Sequence, residues 1–379
     1  MWTVVYLILV LSLGLFLKNN KFTNLLLLLT VFVLFAFEKS DEDYQVYLTT
    51  YDAVGTGRIW ELYGYEPSFL LFCTLGNKYN LSFDLARGII CVFEILALGS
   101  TVKLFTKNIA VVFSLFFIFP AMFDAELFRW LSGMCLIIYA FPYLIRGQNK
   151  YDYIMYVALV LLATSLHTSC IFFLMYLMVL MKDEKKIISI VVILSIIGVV
   201  TSQTGLLYKL FSILPIQQGL NEKFQETNHS NIFGVISLAL RNMPVFFAGF
   251  LVTFYCKGHK FNLNIIRENR GFKLSRAYDG FGALLCSKLK ALNIVTLLLI
   301  VVAIYTPQVQ RVFHVVLFFN YVALAYLLEK KICGFGGKIL SVLNSVLLLL
   351  LMFVGSDGVK IVFMSHFNEG FLVNLFECI

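Results

Sequence analysis

The sequence runs to 379 residues, 60% of them hydrophobic and 14% charged, with a net charge of +8. Soluble domains carry about 25% charged residues, so the composition excludes a protein with an ordinary water-facing surface. The positive charge comes with no basic tail and no recognition module, which excludes nucleic acid as a partner and leaves the lipid bilayer, whose anionic face attracts Lys and Arg.

Apolar runs of about 20 residues recur along the chain, each long enough to cross a hydrocarbon core about 30 Å thick. Backbone amides in lipid need partners within their own segment, so these runs predict helices. The runs are continuously apolar and lack the alternation of an outer-membrane barrel. In chain order, spans are predicted near 2–17, 22–37, 84–102, 109–123, 130–145, 153–166, 168–181, 187–202, 232–256, 291–306, 311–329 and 339–355. The first run has no basic residue ahead of it, which predicts a retained span rather than a cleaved leader. The stretch 153–181 is too long for one span and is divided at His167. No internal repeat is visible, so a repeat-built transporter gains no support. The predicted fold class is an all-α polytopic membrane protein of about 12 transmembrane helices, one transmembrane domain over residues 1–379.

The loops between these spans alternate in charge. The set 18–21, 103–108, 146–152, 182–186, 257–290 and 330–338 holds 20 of the 30 Lys and Arg, whereas 15 of the 22 Asp and Glu lie in or beside the other set. The positive-inside rule puts the basic set in the cytoplasm and both termini outside. The basic loop 257–290 carries Arg267, Arg270, Lys273 and Arg276 on one helical face, the pattern of an interfacial helix on anionic headgroups. Two long outer loops are predicted. Segment 38–83 is acidic and aromatic; segment 203–231 has Leu207, Leu210, Phe211 and Leu214 at helical spacing.

Ionisable residues within the bilayer are costly and mark candidate sites. Arg129 opens the fifth span after Asp124 and Glu126, Arg311 opens the eleventh, and Arg241 sits in the outer half of the ninth. The arginine fork suits phosphate oxygens and stays charged when buried, so three on one side point to a diphosphate-binding site, with structural ion pairs as the alternative. His167 is a base or hydrogen-bond donor at a buried site, or a helix–helix contact. Glu94, in mid-span, reads as the structural partner of a buried arginine. Asp43, Tyr47 and Tyr51 share one helical stripe; they bind sugar or form an interfacial aromatic belt. Glu66 precedes Pro67 and suits the N-terminus of a short helix. The 8 cysteines form no CxxC or Cys/His cluster, so no metal site is indicated.

Asp43, Tyr47 and Tyr51, then Tyr65-Glu66-Pro67-Ser68-Phe69, then Arg129, then Leu162 through Ser169 around His167 resemble the EpsG-like branch of bacterial Wzy-type polysaccharide polymerases. The likeness of order and spacing covers the first 180 residues or so; the second half shares the span layout and Arg311. That family often has a polar residue directly after the arginine, where this chain has Trp130. The resemblance implies a relative of the C-type membrane glycosyltransferases in the bacterial inner membrane. Such enzymes join oligosaccharide repeat units carried on undecaprenyl diphosphate, on the periplasmic side, without nucleotide sugar, metal or cofactor. It further implies a chain-length regulator membrane protein as a partner. Under this reading Arg129, Arg311 and Arg241 hold the diphosphate, His167 or Asp43 takes the acceptor proton, and Tyr47, Tyr51 and Glu66 contact glycan. An O-antigen ligase, a membrane acyltransferase and a lipid-linked oligosaccharide flippase are the competing readings.

Overall fold

The computed structural model of the chain describes residues 14, 20–39, 42–57, 66–147, 149–181, 183–204, 232–256, 274–300 and 311–355. The described residues are helical and include no strand. In chain order the helices are α1 Lys21–Phe37, α2 Glu42–Gly55, α3 Pro67–Lys78, α4 Phe83–Phe105, α5 Ile109–Glu126, α6 Phe128–Arg146 and α7 Lys150–Leu166. After a 3-10 helix over Thr168–Leu180 come α8 Glu184–Thr204, α9 Ile232–Cys256, α10 Leu274–Thr296, α11 Val312–Glu329 and α12 Phe335–Gly355. Among the described residues, five helical stretches are long and apolar enough to cross a membrane: Phe83–Phe105, Ile109–Glu126, Phe128–Arg146, Gly280–Ile300 and Val312–Glu329. The predicted first span, 2–17, lies outside the described residues, as do nearly all of the outer loop 203–231 and Arg267, Arg270 and Lys273 of the basic loop.

Local sequence sets the helix ends. The side chains of Asn20, Ser82 and Asn149 accept backbone N–H bonds from Thr23, Leu85 and Asp152 and so start α1, α4 and α7. Gly147, in the left-handed region at φ 45°, stops α6. Pro120 interrupts α5, where Phe119 turns to extended backbone at φ −161° and ψ 129°. Leu127 alone separates α5 from α6.

The core is built around α5 and α11. Both are apolar on every face and nearly every side chain is buried, as expected of helices enclosed by others. By contrast α4 buries one face and turns Phe93 and Leu96 outward, each 62% exposed. Where apolar surface meets lipid on one side and helices on the other, hydrophobicity no longer drives packing, so polar clips between helices carry more of it. Asn293 of α10 and Asn320 of α11 exchange amide bonds of 3.1 and 3.0 Å. Asn344 of α12 donates to the Pro244 carbonyl of α9 at 2.9 Å. Tyr321 and Ser345 join α11 to α12, and Tyr176 and Thr296 join the 3-10 helix to α10.

Charged residues of the predicted basic loops meet at one end of the bundle. Arg146 pairs with Asp152, Lys290 with Glu184, and Glu329 accepts from Thr106 and from the Lys107 amide. The loop 257–290 is shorter than predicted, because α10 begins at Leu274 and the apolar stretch at Gly280. Phe281, Leu285, Leu289 and Leu292 recur at helical spacing and are buried. Lys288 reaches the Leu144 carbonyl at 3.5 Å and Lys290 reaches Glu184, so two lysines that read as loop residues snorkel from a helix.

The division at His167 stands, but the second half is not an α-helix. In a 3-10 helix residues three apart eclipse each other. Cys170, Phe173, Tyr176 and Val179 form that stripe and are all buried. Close approach to this region depends on Gly133 in α6: a Cβ there would lie 2.8 Å from Cys170 Sγ and 3.4 Å from the Ala163 carbonyl oxygen. Gly133→Val is therefore expected to destabilise the protein by about 1–3 kcal/mol through overpacking. Gly88→Ala, in open space on α4, is expected to stabilise it by up to about 1 kcal/mol. Thermal denaturation in detergent reads both.

Candidate functional site

At the end opposite the basic contacts, α2 and α3 form a small cap over the starts of α4 and α6. The cap has an aromatic core of its own, containing Tyr44, Tyr47, Tyr51, Phe69, Phe83 and Phe128. The stripe predicted for Asp43, Tyr47 and Tyr51 exists, since Glu42–Gly55 is helical, but it faces inward. Tyr47 is 4% and Tyr51 3% exposed. The Tyr47 ring lies 5.6 Å from Phe69 and 6.3 Å from Phe128; the Tyr51 ring lies 5.5 Å from Phe83, and its hydroxyl donates to the Leu81 carbonyl at 2.8 Å. Neither ring is open for stacking on a sugar, because the cap needs both to close its core.

Arg129, in the first turn of α6, reaches up into this cap. Its guanidinium pairs with the Glu66 carboxylate and sits 5.3 Å from the Tyr47 ring and 5.4 Å from the Phe69 ring, a cation–π arrangement. Glu66 stands at the N-terminus of α3 ahead of Pro67, as predicted, but its side chain makes no capping bond. The first-turn donor is already missing at proline, and the carboxylate turns to Arg129 instead. Its other oxygen faces the Thr168 hydroxyl at 3.5 Å. Ser68 and Ser165, at 2.6 Å, fasten α3 to the end of α7.

His167 occupies the break between α7 and the 3-10 helix, in extended backbone at φ −151° and ψ 120°. Its Nδ1 accepts the Ser169 amide at 3.3 Å, and its ring meets Trp130 edge to face at 5.5 Å. With Nδ1 accepting, a neutral ring carries its proton on Nε2 and acts as a donor.

Burial raises the Tyr47 phenol above its ordinary range; the neighbouring Arg129 and Arg311 guanidiniums pull it back and the Asp43 carboxylate adds to the rise. Three residues read from separate parts of the sequence thus act on one hydroxyl. Asp43 and Arg311 are both half-buried. The Arg241 side chain lies outside the described residues, although its backbone belongs to α9.

A cleft of about 220 Å³ opens beside Arg129, between α3, α4 and α6. Phe72, Ile90, Phe93, Phe128 and Leu136 line it, with Glu94 and Ser132 beneath. Phe93 borders the outward, lipid-facing side of α4. Glu94 accepts from the Ser132 hydroxyl at 2.5 Å, and the buried Arg87 acts on it through its charge. Arg87, two turns earlier on α4, donates to the Glu38 and Ala125 carbonyls. A cation at the mouth of an apolar cleft suits an amphiphile with an anionic head. Among the described residues no group of three His, Cys, Asp or Glu is placed to hold a metal ion.

The sequence reading missed a buried cluster behind the site. Asp124, fully enclosed, accepts from the Trp130 indole at 2.9 Å, and His314 Nδ1 lies 2.8 Å from the same carboxylate oxygen. The available signal was His314 itself, an ionisable residue in an apolar run three positions after Arg311.

A family model described as the EpsG family matches residues 20–357 of the chain. No curated protein and no solved structure matches it.

The Glu66–Arg129 pair carries a direct expectation. Removing one partner strands the other in a largely dry place. Glu66→Leu and Arg129→Leu are each expected to destabilise by about 2 kcal/mol, less than for a sealed pair because the Arg129 side chain keeps 22% of its surface. The double variant should lose less than the two added together, as a double-mutant cycle of denaturation in detergent would show.

Proposed function

The chain belongs to the EpsG family, whose members are polysaccharide-polymerase-like membrane proteins, and on that premise we propose that it joins lipid-diphosphate-linked oligosaccharide repeat units at the Arg129 site. The observation that carries this reading is the Arg129 guanidinium, held by Glu66 and the Tyr47 and Phe69 rings, in the lining of an apolar cleft. Arg311 and Asp43 add their charges to the field at the Tyr47 phenol. The donor is a repeat-unit chain on undecaprenyl diphosphate. Its lipid lies along the cleft toward the bilayer, and its diphosphate meets the arginines. The glycosidic bond to the diphosphate breaks, and the lipid diphosphate leaves as an anion. The acceptor hydroxyl of the next lipid-linked unit forms the new bond and gives up its proton.

Charge that develops on the leaving diphosphate needs fixed cations, and the two arginine forks supply them. The proton needs a base. The hydrogen bond that His167 Nδ1 accepts favours this ring as donor and orienter, so the base is Asp43, a half-buried carboxylate one turn from Tyr47. The enclosed Tyr47 and Tyr51 rings set the shape of the cap, and glycan contact passes to the half-buried Asp43 on the same helix. The division of basic and acidic loops supports reading the site as periplasmic, in the bacterial inner membrane.

Asp43→Asn is expected to lower polymer formation about 100-fold or more, the contribution of a general base. Arg129→Lys and Arg311→Lys should each fail despite keeping their charge, because an ammonium cannot form the bidentate contact. Surface polysaccharide resolved by length, at equal protein level, measures all three; parental polymer from Asp43→Asn rejects its role as base. In a strain lacking the gene, single-unit caps support a polymerase. Loss of all glycan from the core would instead indicate a ligase, and internal accumulation a flippase. Reporter fusions after residue 56 should read periplasmic and fusions after residue 148 cytoplasmic; the opposite result removes the site from the side where lipid-linked units are joined.

A further inference from the structure

We infer that Asp124 is a positioning residue that sets the separation between Arg129 and Arg311; the inference rests on the diphosphate reading of those arginines. Asp124 lies in the last turn of α5 and is fully buried. One oxygen, Oδ1, accepts the Trp130 indole N–H at 2.9 Å and lies 2.8 Å from His314 Nδ1. Trp130 directly follows Arg129, and His314, in the first turn of α11, stands three residues after Arg311, the residue that caps that helix. A single carboxylate oxygen therefore ties together the two helix starts that carry the two guanidiniums.

Stability alone does not account for the cluster. A buried carboxylate and its polar partner rarely add net stability over apolar replacements, since both groups lose their water. Every residue of α11 from Val312 to Leu327 is buried, so that helix packs without help from the pair. What apolar packing does not supply is a directional bond at the first turn of α11, beside Arg311. Leu127 alone links α5 to α6, so the chain itself holds Arg129 near Asp124. Arg311 arrives on a helix whose contact residue is 190 positions from Asp124. The other directional bonds of α11, from Asn320, Tyr321 and Glu329, lie at mid-depth and at its far end, two or more turns from Arg311. The His314–Asp124 contact is directional and lies one turn from Arg311. Two planar forks clamp the two phosphates of a diphosphate only at a fixed spacing.

The test uses the full chain in nanodiscs with two probes, farnesyl diphosphate and farnesyl monophosphate. The parent should prefer the diphosphate by about tenfold, the size of one charge-assisted hydrogen bond. His314→Leu and Trp130→Phe should each bring the ratio toward one while leaving monophosphate affinity near parental. His314→Asn, whose Nδ2 falls where Nδ1 does, should restore the preference. Trp130→Phe keeps the test open if His314→Leu fails to fold. If Arg129→Gln and Arg311→Gln abolish the preference but both Asp124-contact variants retain it, the positioning role is overturned and the diphosphate reading stands. If the arginine variants leave both affinities parental, the diphosphate reading fails and the positioning role with it.

Discussion

The Glu66–Arg129 ion pair is the interaction on which the site end of this protein depends. Arg129 opens a helix that is otherwise buried in the bundle, and a guanidinium there has little water to draw on. Glu66 answers it from a short helix outside the bundle, and Tyr47 and Phe69 cover its faces. The pair therefore pins the α2–α3 cap onto α6. Other bonds that join the cap to the bundle are Ser68 with Ser165, the Tyr51 hydroxyl to the Leu81 carbonyl and the Tyr44 hydroxyl to Asp84. The same arrangement keeps Arg129 pointed at the cleft mouth, so the cation that serves the proposed chemistry is also the fastening of its lid-like cap.

The rest of the bundle solves a related problem. Apolar faces that meet lipid give helices no reason to choose one neighbour over another. Here the choice is made by small polar groups placed between helices: the Asn293–Asn320 pair, Asn344 on the Pro244 carbonyl, Tyr321 on Ser345 and Tyr176 on Thr296. Asp124, Trp130 and His314 belong to the same class of contact but stand next to the site. The bundle thus has directional bonds at mid-depth that fix which helices meet, and one cluster near the cap that fixes how two of them are aligned.

Much of the helix layout was legible in the sequence because it depends on local quantities. Apolar run length gave α4, α5, α6 and α9 within a few residues, and the break at His167 fell where the run was too long. The start of α10 was not legible, because Lys288 and Lys290 look like loop residues until Leu144 and Glu184 are known to receive them. The 3-10 character of Thr168–Leu180 was equally hidden, since an apolar run reads alike at periods of 3 and 3.6. The hydrogen-bond partner of Glu94 was hidden for a similar reason. A mid-span carboxylate calls for a partner, but the sequence does not say that Ser132 is the one within reach.

By itself, the sequence determined that the chain is helical, with runs long and apolar enough to cross a membrane. It singled out Arg129, Arg311, Asp43 and His167 as ionisable residues beside those runs. These follow from hydrophobic run length and from the spacing of charges along the chain, which need no knowledge of neighbours. Only the tertiary structure decided the partners. Glu66 and Arg129 are 63 residues apart, and Asp124 and His314 are 190; the chain carries no local signal that joins them. It also decided that the Tyr47 and Tyr51 stripe turns inward, because an aromatic face is equally suited to a sugar and to a core, and here Phe69, Phe83 and Phe128 were close enough to enclose it.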